Sequence, residues 1–159
     1  MKRGGARIGV ASLAAAWLVM CATTGAAAAP QVGAAPQSIA GAWEARSYLL
    51  STGEEHPLVG KIFFTATDWQ VVFFVLDADG APRRGSAEGG TYATEGARLT
   101  FMHRFNLSVG AALPGLPADD LRMVVHESMT AEAARFVIEH DALTLFFPSG
   151  NEMRFRRAS

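Results

Sequence analysis

The chain has one cysteine, Cys21, and it lies within an N-terminal segment that reads as a removable leader. Once that leader is gone no thiol is left, so disulfides and thiol chemistry are excluded even in an oxidising compartment. Stability must come from packing and from the strand ladder. There is also no apolar run of the about 20 residues that a membrane-spanning helix needs. No Gly-x-Ser-x-Gly elbow marks a nucleophile, no His-Glu-x-x-His pair marks a zinc site, and no repeat, heptad or long helical period is present. Basic residues are not in excess, with 14 Lys and Arg against 15 Asp and Glu. Losing the leader removes Lys2, Arg3 and Arg7 and no acid, which shifts the formal charge from −1 to −4. Because nucleic-acid binding rests on neutralising phosphates with Lys and Arg, such a balance argues against a nucleic-acid partner.

What is present begins with the leader itself. Residues 1–29 combine the basic Lys2, Arg3 and Arg7, the apolar stretch Ile8 to Cys21 and an Ala-rich tail with cleavage registers after Ala27, Ala28 or Ala29. This predicts a cleaved signal peptide and a secreted or periplasmic product. Leu18-Val19-Met20-Cys21 has the outline of a lipoprotein box, but Met20 is larger than the small residue such a box needs before its cysteine. Residues 30–38 are Gly, Ala and Pro rich and read as a flexible lead-in. Residues 39–159 form the remaining domain, and a mature chain of about 130 residues is enough for one core.

That domain is a row of short β-like runs separated by Gly, Asp and Pro clusters. The expected strands are Ala42 to Leu50, Leu58 to Ala66, Trp69 to Leu76, Gly85 to Thr94, Ala97 to Phe105, Leu121 to Glu127, Ala133 to Glu139, Leu143 to Phe147 and Glu152 to Arg156. Gly89 and Gly90 mark a bulge where a barrel corner bends, and Glu95-Gly96 marks a hairpin. Asn106 to Asp120 is Pro and Gly broken yet apolar, which suggests a lid or packing over a barrel end. Trp69 to Leu76 is apolar on both faces and Leu58 to Ala66 nearly so, so something should cover the outer wall there: the loop, the lead-in or another copy of the chain.

Gly41-Ala42-Trp43 resembles the Gly-x-Trp signature of lipocalin and calycin barrels. Gly60-Lys61-Ile62-Phe63-Phe64-Thr65-Ala66, Gly89-Gly90-Thr91-Tyr92, Arg98-Leu99-Thr100-Phe101 and Asp141-Ala142-Leu143-Thr144-Leu145 are similar, in order and spacing, to strand signatures of bacterial lipocalin-like domains. The resemblance covers about residues 39 to 157. It implies an all-β fold, a single antiparallel eight- to nine-stranded barrel, with Gly41 and Trp43 at the closed end and an arginine stacked on the indole. The matching arginine would be Arg154 or Arg156. The second and third signatures of the large lipocalin family are missing, so the resemblance implies the barrel without a particular ligand.

The candidate chemistry is sparse. His56, His103, His126 and His140 have no ligand-type spacing, so no metal is expected, and His103 shares a strand face with Leu99 and Phe101, where it is either a hydrogen-bonded wall residue or a holder of a polar ligand head. Asp77-Ala78-Asp79-Gly80 has the opening of a calcium loop but not its remaining ligands, and fits a turn. Asn106-Leu107-Ser108 matches a glycosylation acceptor. Ser149 fits a turn. The aromatic and Met residues either fill the barrel or line a cavity, because eight strands leave room for one or the other. The expected role is binding of a small apolar or amphipathic molecule by Phe64, Phe73, Tyr92, Phe101, His103, Met123 and Phe136, with one of His103, Arg104, Arg122 or Tyr92 holding its polar end. No catalytic residues and no cofactor are expected. The alternative is a packed barrel acting through its surface, as an inhibitor or envelope interaction protein, and a homo-oligomer is compatible with either.

Overall fold

A computed structural model describes residues 38–159; the leader, its cleavage registers and most of the lead-in lie outside them. Eight strands follow one another: β1 (Gly41–Leu49), β2 (Glu55–Phe64), β3 (Asp68–Leu76), β4 (Pro82–Glu95), β5 (Arg98–Gly110), β6 (Asp119–Glu139), β7 (Ala142–Phe146) and β8 (Glu152–Arg157). Each pairs antiparallel with the next, and β1 also pairs with β8, so the meander closes into a barrel. Closure leaves no unpaired strand edge, which is one way all-β chains avoid edge-to-edge association. Among the described residues no helix is long and apolar enough to cross a membrane.

Alternation along each strand decides what faces inward. Ile62, Phe64, Trp69, Val71, Val75, Leu99, Phe101, Leu143, Leu145, Met153 and Phe155 are buried in one core. One barrel end is sealed by Trp43, which is wholly buried. Its Nε1 donates to the Ile39 carbonyl at 2.8 Å, and the Arg157 guanidinium lies 4.0 Å from the ring centre. Arg157 also donates to the carbonyls of Ala40 and Ser38, both at 3.3 Å. The stacked arginine is therefore Arg157, a correction to the expectation of Arg154 or Arg156. Strand parity is the reason: Met153, Phe155 and Arg157 share the inward side, while Arg154 pairs outside with Glu55 at 3.1 Å and Arg156 with Asp141 at 2.9 Å.

Two expected segmentations differ from the structure. Leu121 to Glu127 and Ala133 to Glu139 are parts of one strand, β6, which makes eight strands rather than nine. Ser128 to Glu132 holds no Gly or Pro, and the ladder absorbs the irregularity as a bulge between the pairs His103 with Thr130 and Phe105 with Val125. The expected loop Asn106 to Asp120 shrinks to residues 111–118, because β5 continues to Gly110 and β6 begins at Asp119. Leu113 and Leu116 bridge one another through two 2.9 Å hydrogen bonds and pack on the core, so the segment covers the barrel end opposite Trp43. The expected bulge at Gly89 and Gly90 is present. A Cβ on Gly90 would collide with the Met102 carbonyl, which explains the glycine at this close approach.

The outer wall carries continuous apolar rows through the strand register. Val59 faces Phe74, then Gly85, then Val109; Val72 faces Ala87, then Leu107, then Met123. Met123 and Val125 are 71% and 76% exposed.

Trp43→Ala is expected to lower stability by about 3–5 kcal/mol, the usual loss for truncating a buried tryptophan. Arg157→Ala is expected to cost about 0.5–1 kcal/mol, typical of an exposed cation over a ring. Arg154→Ala and Arg156→Ala, whose ion pairs are solvent-exposed, should fall below Arg157→Ala; urea denaturation midpoints check the order.

Candidate functional site

Inside the barrel lies a cavity of about 340 Å³. Its apolar part is formed by Ile62, Trp69, Val71, Phe101, Leu145 and Phe155, inward residues of β2, β3, β5, β7 and β8. Trp69 and Phe101 pack with ring centres 4.4 Å apart. Leu116 of the covering segment closes the top, with Tyr48, Phe147 and Ser149 beside it.

The opposite wall is polar, and it is built by β4, β5 and β6. Arg84, Ser86 and Glu88 alternate inward on β4, Ser108 follows the bulge on β5, and Glu132 projects from β6. Small side chains leave the space: Ser86 pairs with Phe73 of β3 and, on its other side, with Ser108 of β5. His103 stands at the centre of this wall, with Nδ1 3.2 Å from Glu88 and Nε2 3.0 Å from Glu132. Its ring meets Trp69 edge-on, with centres 5.1 Å apart and planes at 87°. The Ser86 hydroxyl donates to Glu88 at 2.8 Å.

Electrostatics follow from this geometry. The hydrogen bonds to Glu132 and Glu88 push the His103 pKa up from 6.5 to about 9, against the opposing effect of burial. Burial works to raise the Glu88 carboxyl, but hydrogen bonds from His103 and Ser86 and the imidazolium charge outweigh it and hold the group below its usual range. At neutral pH the trio is thus an imidazolium with both N–H groups donated to flanking carboxylates. Burial raises the Tyr48 phenol, partly offset by the hydrogen bond from Asn151 at 2.8 Å.

The sequence-based site residues separate. Phe73, Phe101 and His103 line the cavity. Phe64 is buried in the adjoining core, edge-on to Tyr92 at 5.1 Å. Tyr92 donates its hydroxyl to the Thr65 carbonyl at 2.7 Å, away from the cavity wall. Phe136 packs against the core without reaching the cavity. Met123 lies on the outer wall, because residues 121, 123 and 125 of β6 face out. Arg104 is the extra residue of the β5 bulge and donates to the Glu127 carbonyl at 3.3 Å. Arg122 borders an adjoining hollow of about 290 Å³ together with His126 and Thr130. His56 is buried against the Pro114 carbonyl at 2.9 Å, His140 occupies a turn with φ 58°, and Asp77 caps its own turn through the amides of Asp79 and Ala81. Among the described residues no group of three or more His, Asp or Glu is placed to hold a metal.

Sequence reasoning missed Trp69, Glu88 and Glu132. Parity with Val71 and Val75 would have turned Trp69 inward, and spacing of two from Gly90 would have done so for Glu88. Glu132 fell in a segment read as a break between strands, which hid its facing.

A closed up-and-down meander of eight antiparallel strands is the architecture of lipocalin-type barrels. The chain is similar to a solved lipocalin-like protein from Bacteroides uniformis, with 18% identity over 75% of this chain and 97% of that one and a TM-score of 0.46. No family model and no curated protein matches the sequence.

Because the folded pKa of His103 lies above its ordinary value, the stabilisation it gives is fully present below about pH 6.5 and lost as pH rises through about 9. Melting temperature should fall across this window. His103→Phe should flatten that slope, and an unchanged slope in the variant would assign the effect elsewhere.

Proposed function

We propose that the exported barrel binds a small apolar or amphipathic molecule inside its cavity, without catalysing its conversion. The observation that carries this reading is the division of one space within the barrel into an apolar wall around Trp69 and Phe101 and a polar wall around His103. Ligand pockets characteristically combine a mostly apolar lining with a few placed polar groups, and about 340 Å³ is at the small end of their range. Phe73, Phe101, Val71 and Leu145 would supply burial, at about 25 cal/mol per Å² before ordering costs, and the His103 wall would orient the head. The signal-like leader supports a secreted or periplasmic location.

Uptake of the uncharged dye N-phenyl-1-naphthylamine, followed by fluorescence, tests the reading. Ser108→Trp, which fills the cavity from the polar wall, should lower dye affinity at least tenfold while leaving the β-sheet circular dichroism intact. A protein that excludes the dye, and whose native mass shows no bound molecule when purified from its host, would count against an internal ligand.

The apolar rows on the outer wall support a second reading, in which the barrel also works through its surface against another copy of itself. Sedimentation at micromolar concentration should then show a dimer that Met123→Lys dissociates.

A further inference from the structure

We infer that the molecule held in the barrel carries an uncharged hydroxyl-type head, a single group that both accepts and donates a hydrogen bond on the His103 wall. This rests on the cavity-binding reading above and narrows it to a class of ligand. His103 has committed both ring N–H groups to Glu88 and Glu132. Ser86 has committed its hydroxyl to Glu88, and Arg84 reaches the carbonyls of Ala111 and Pro117 in the covering segment. Both N–H groups of His103 and the Ser86 hydroxyl are thus paired within the wall, and the carboxylates, with about four lone-pair sites each, retain accepting capacity.

A buried donor without a partner lies on the other side. Trp69 Nε1 is buried and has no hydrogen-bond partner, although Trp69 is only 5% exposed and borders the cavity. A buried N–H without an acceptor is costly and rare in native structures, so it points to a partner that arrives with a ligand. Trp69 and Glu132 flank the same imidazole, one against its ring and one on its Nε2. Trp69 and Glu132 both line the cavity, so an indole donor and a carboxylate acceptor border the same space.

Three head chemistries can be compared. A carboxylate brings no donor, so it leaves the accepting sites of Glu88 and Glu132 unmet. An ammonium brings three donors and no acceptor, so it leaves the indole N–H unmet. A hydroxyl accepts from Trp69, donates to Glu132 and carries no charge into the apolar part of the cavity.

Calorimetric titration of the protein as its host produces it, at pH 7.5, with 1-decanol, decanoate and decylammonium separates these cases at one chain length. The expected result is decanol binding at least tenfold tighter than either charged analogue. Glu132→Gln should raise decanoate affinity, and Trp69→Phe should shrink the decanol preference several-fold. Equal or tighter binding of decanoate or decylammonium overturns the assignment. If none of the three binds while N-phenyl-1-naphthylamine is still taken up, the head-group assignment falls and internal binding stands; if the dye is also excluded, both fall.

Discussion

The pairing of β1 with β8 is the constraint on which the rest of this structure depends. It turns an open meander into a wall with an inside, and only then does alternation along a strand separate core from solvent. The seam is secured at its end by three contacts that converge on one indole: the ring is buried, its N–H is satisfied by Ile39 and its face is covered by Arg157. Backbone bonds extend the closure past the strands, with the Ala158 amide donating to the Ala42 carbonyl at 2.9 Å. In a chain with no cysteine beyond Cys21, this packing takes the place of a covalent clasp.

The cavity is a consequence of uneven side-chain size around that wall. β3 points Trp69, Val71, Phe73 and Val75 inward, whereas the neighbouring stretches of β4 and β5 present Ser86 and Ser108. Large residues on one side and small ones on the other leave space instead of a packed interior. The same stretch of wall holds the partly buried charges of Glu88, His103 and Glu132, and they are tolerable because each has a partner. The β5 bulge at Arg104 lets this happen: it shifts the inward positions from odd to even numbers, so that His103 and Ser108 both face the cavity from one strand.

Much of the fold was legible because strand signals are local. Gly, Asp and Pro clusters between β-branched and aromatic runs located all eight strands, and Gly89-Gly90 marked the bulge before any pairing was known. Where reading failed, the deciding partner was distant in sequence. Ser128 to Glu132 resembles a break, yet it pairs onto β5 as part of a 21-residue strand. Arg154 and Arg156 sit in the same basic run as Arg157, and only the seam with β1 shows which one reaches the indole. The site was legible at His103, through its shared face with Leu99 and Phe101, and illegible at its partners. Glu88 and Glu132 lie 15 and 29 positions away in the chain, and nothing near either one signals an imidazole.

The sequence by itself determined an all-β domain, its Gly-x-Trp start and the absence of cysteine after Cys21, since each follows from composition or from patterns a few residues long. Tertiary structure decided the strand count, the arginine over Trp43, the outward position of Met123 and the Glu88–His103–Glu132 trio. Those depend on register and bulges, where a slip of one residue moves a side chain from the cavity to the outer surface.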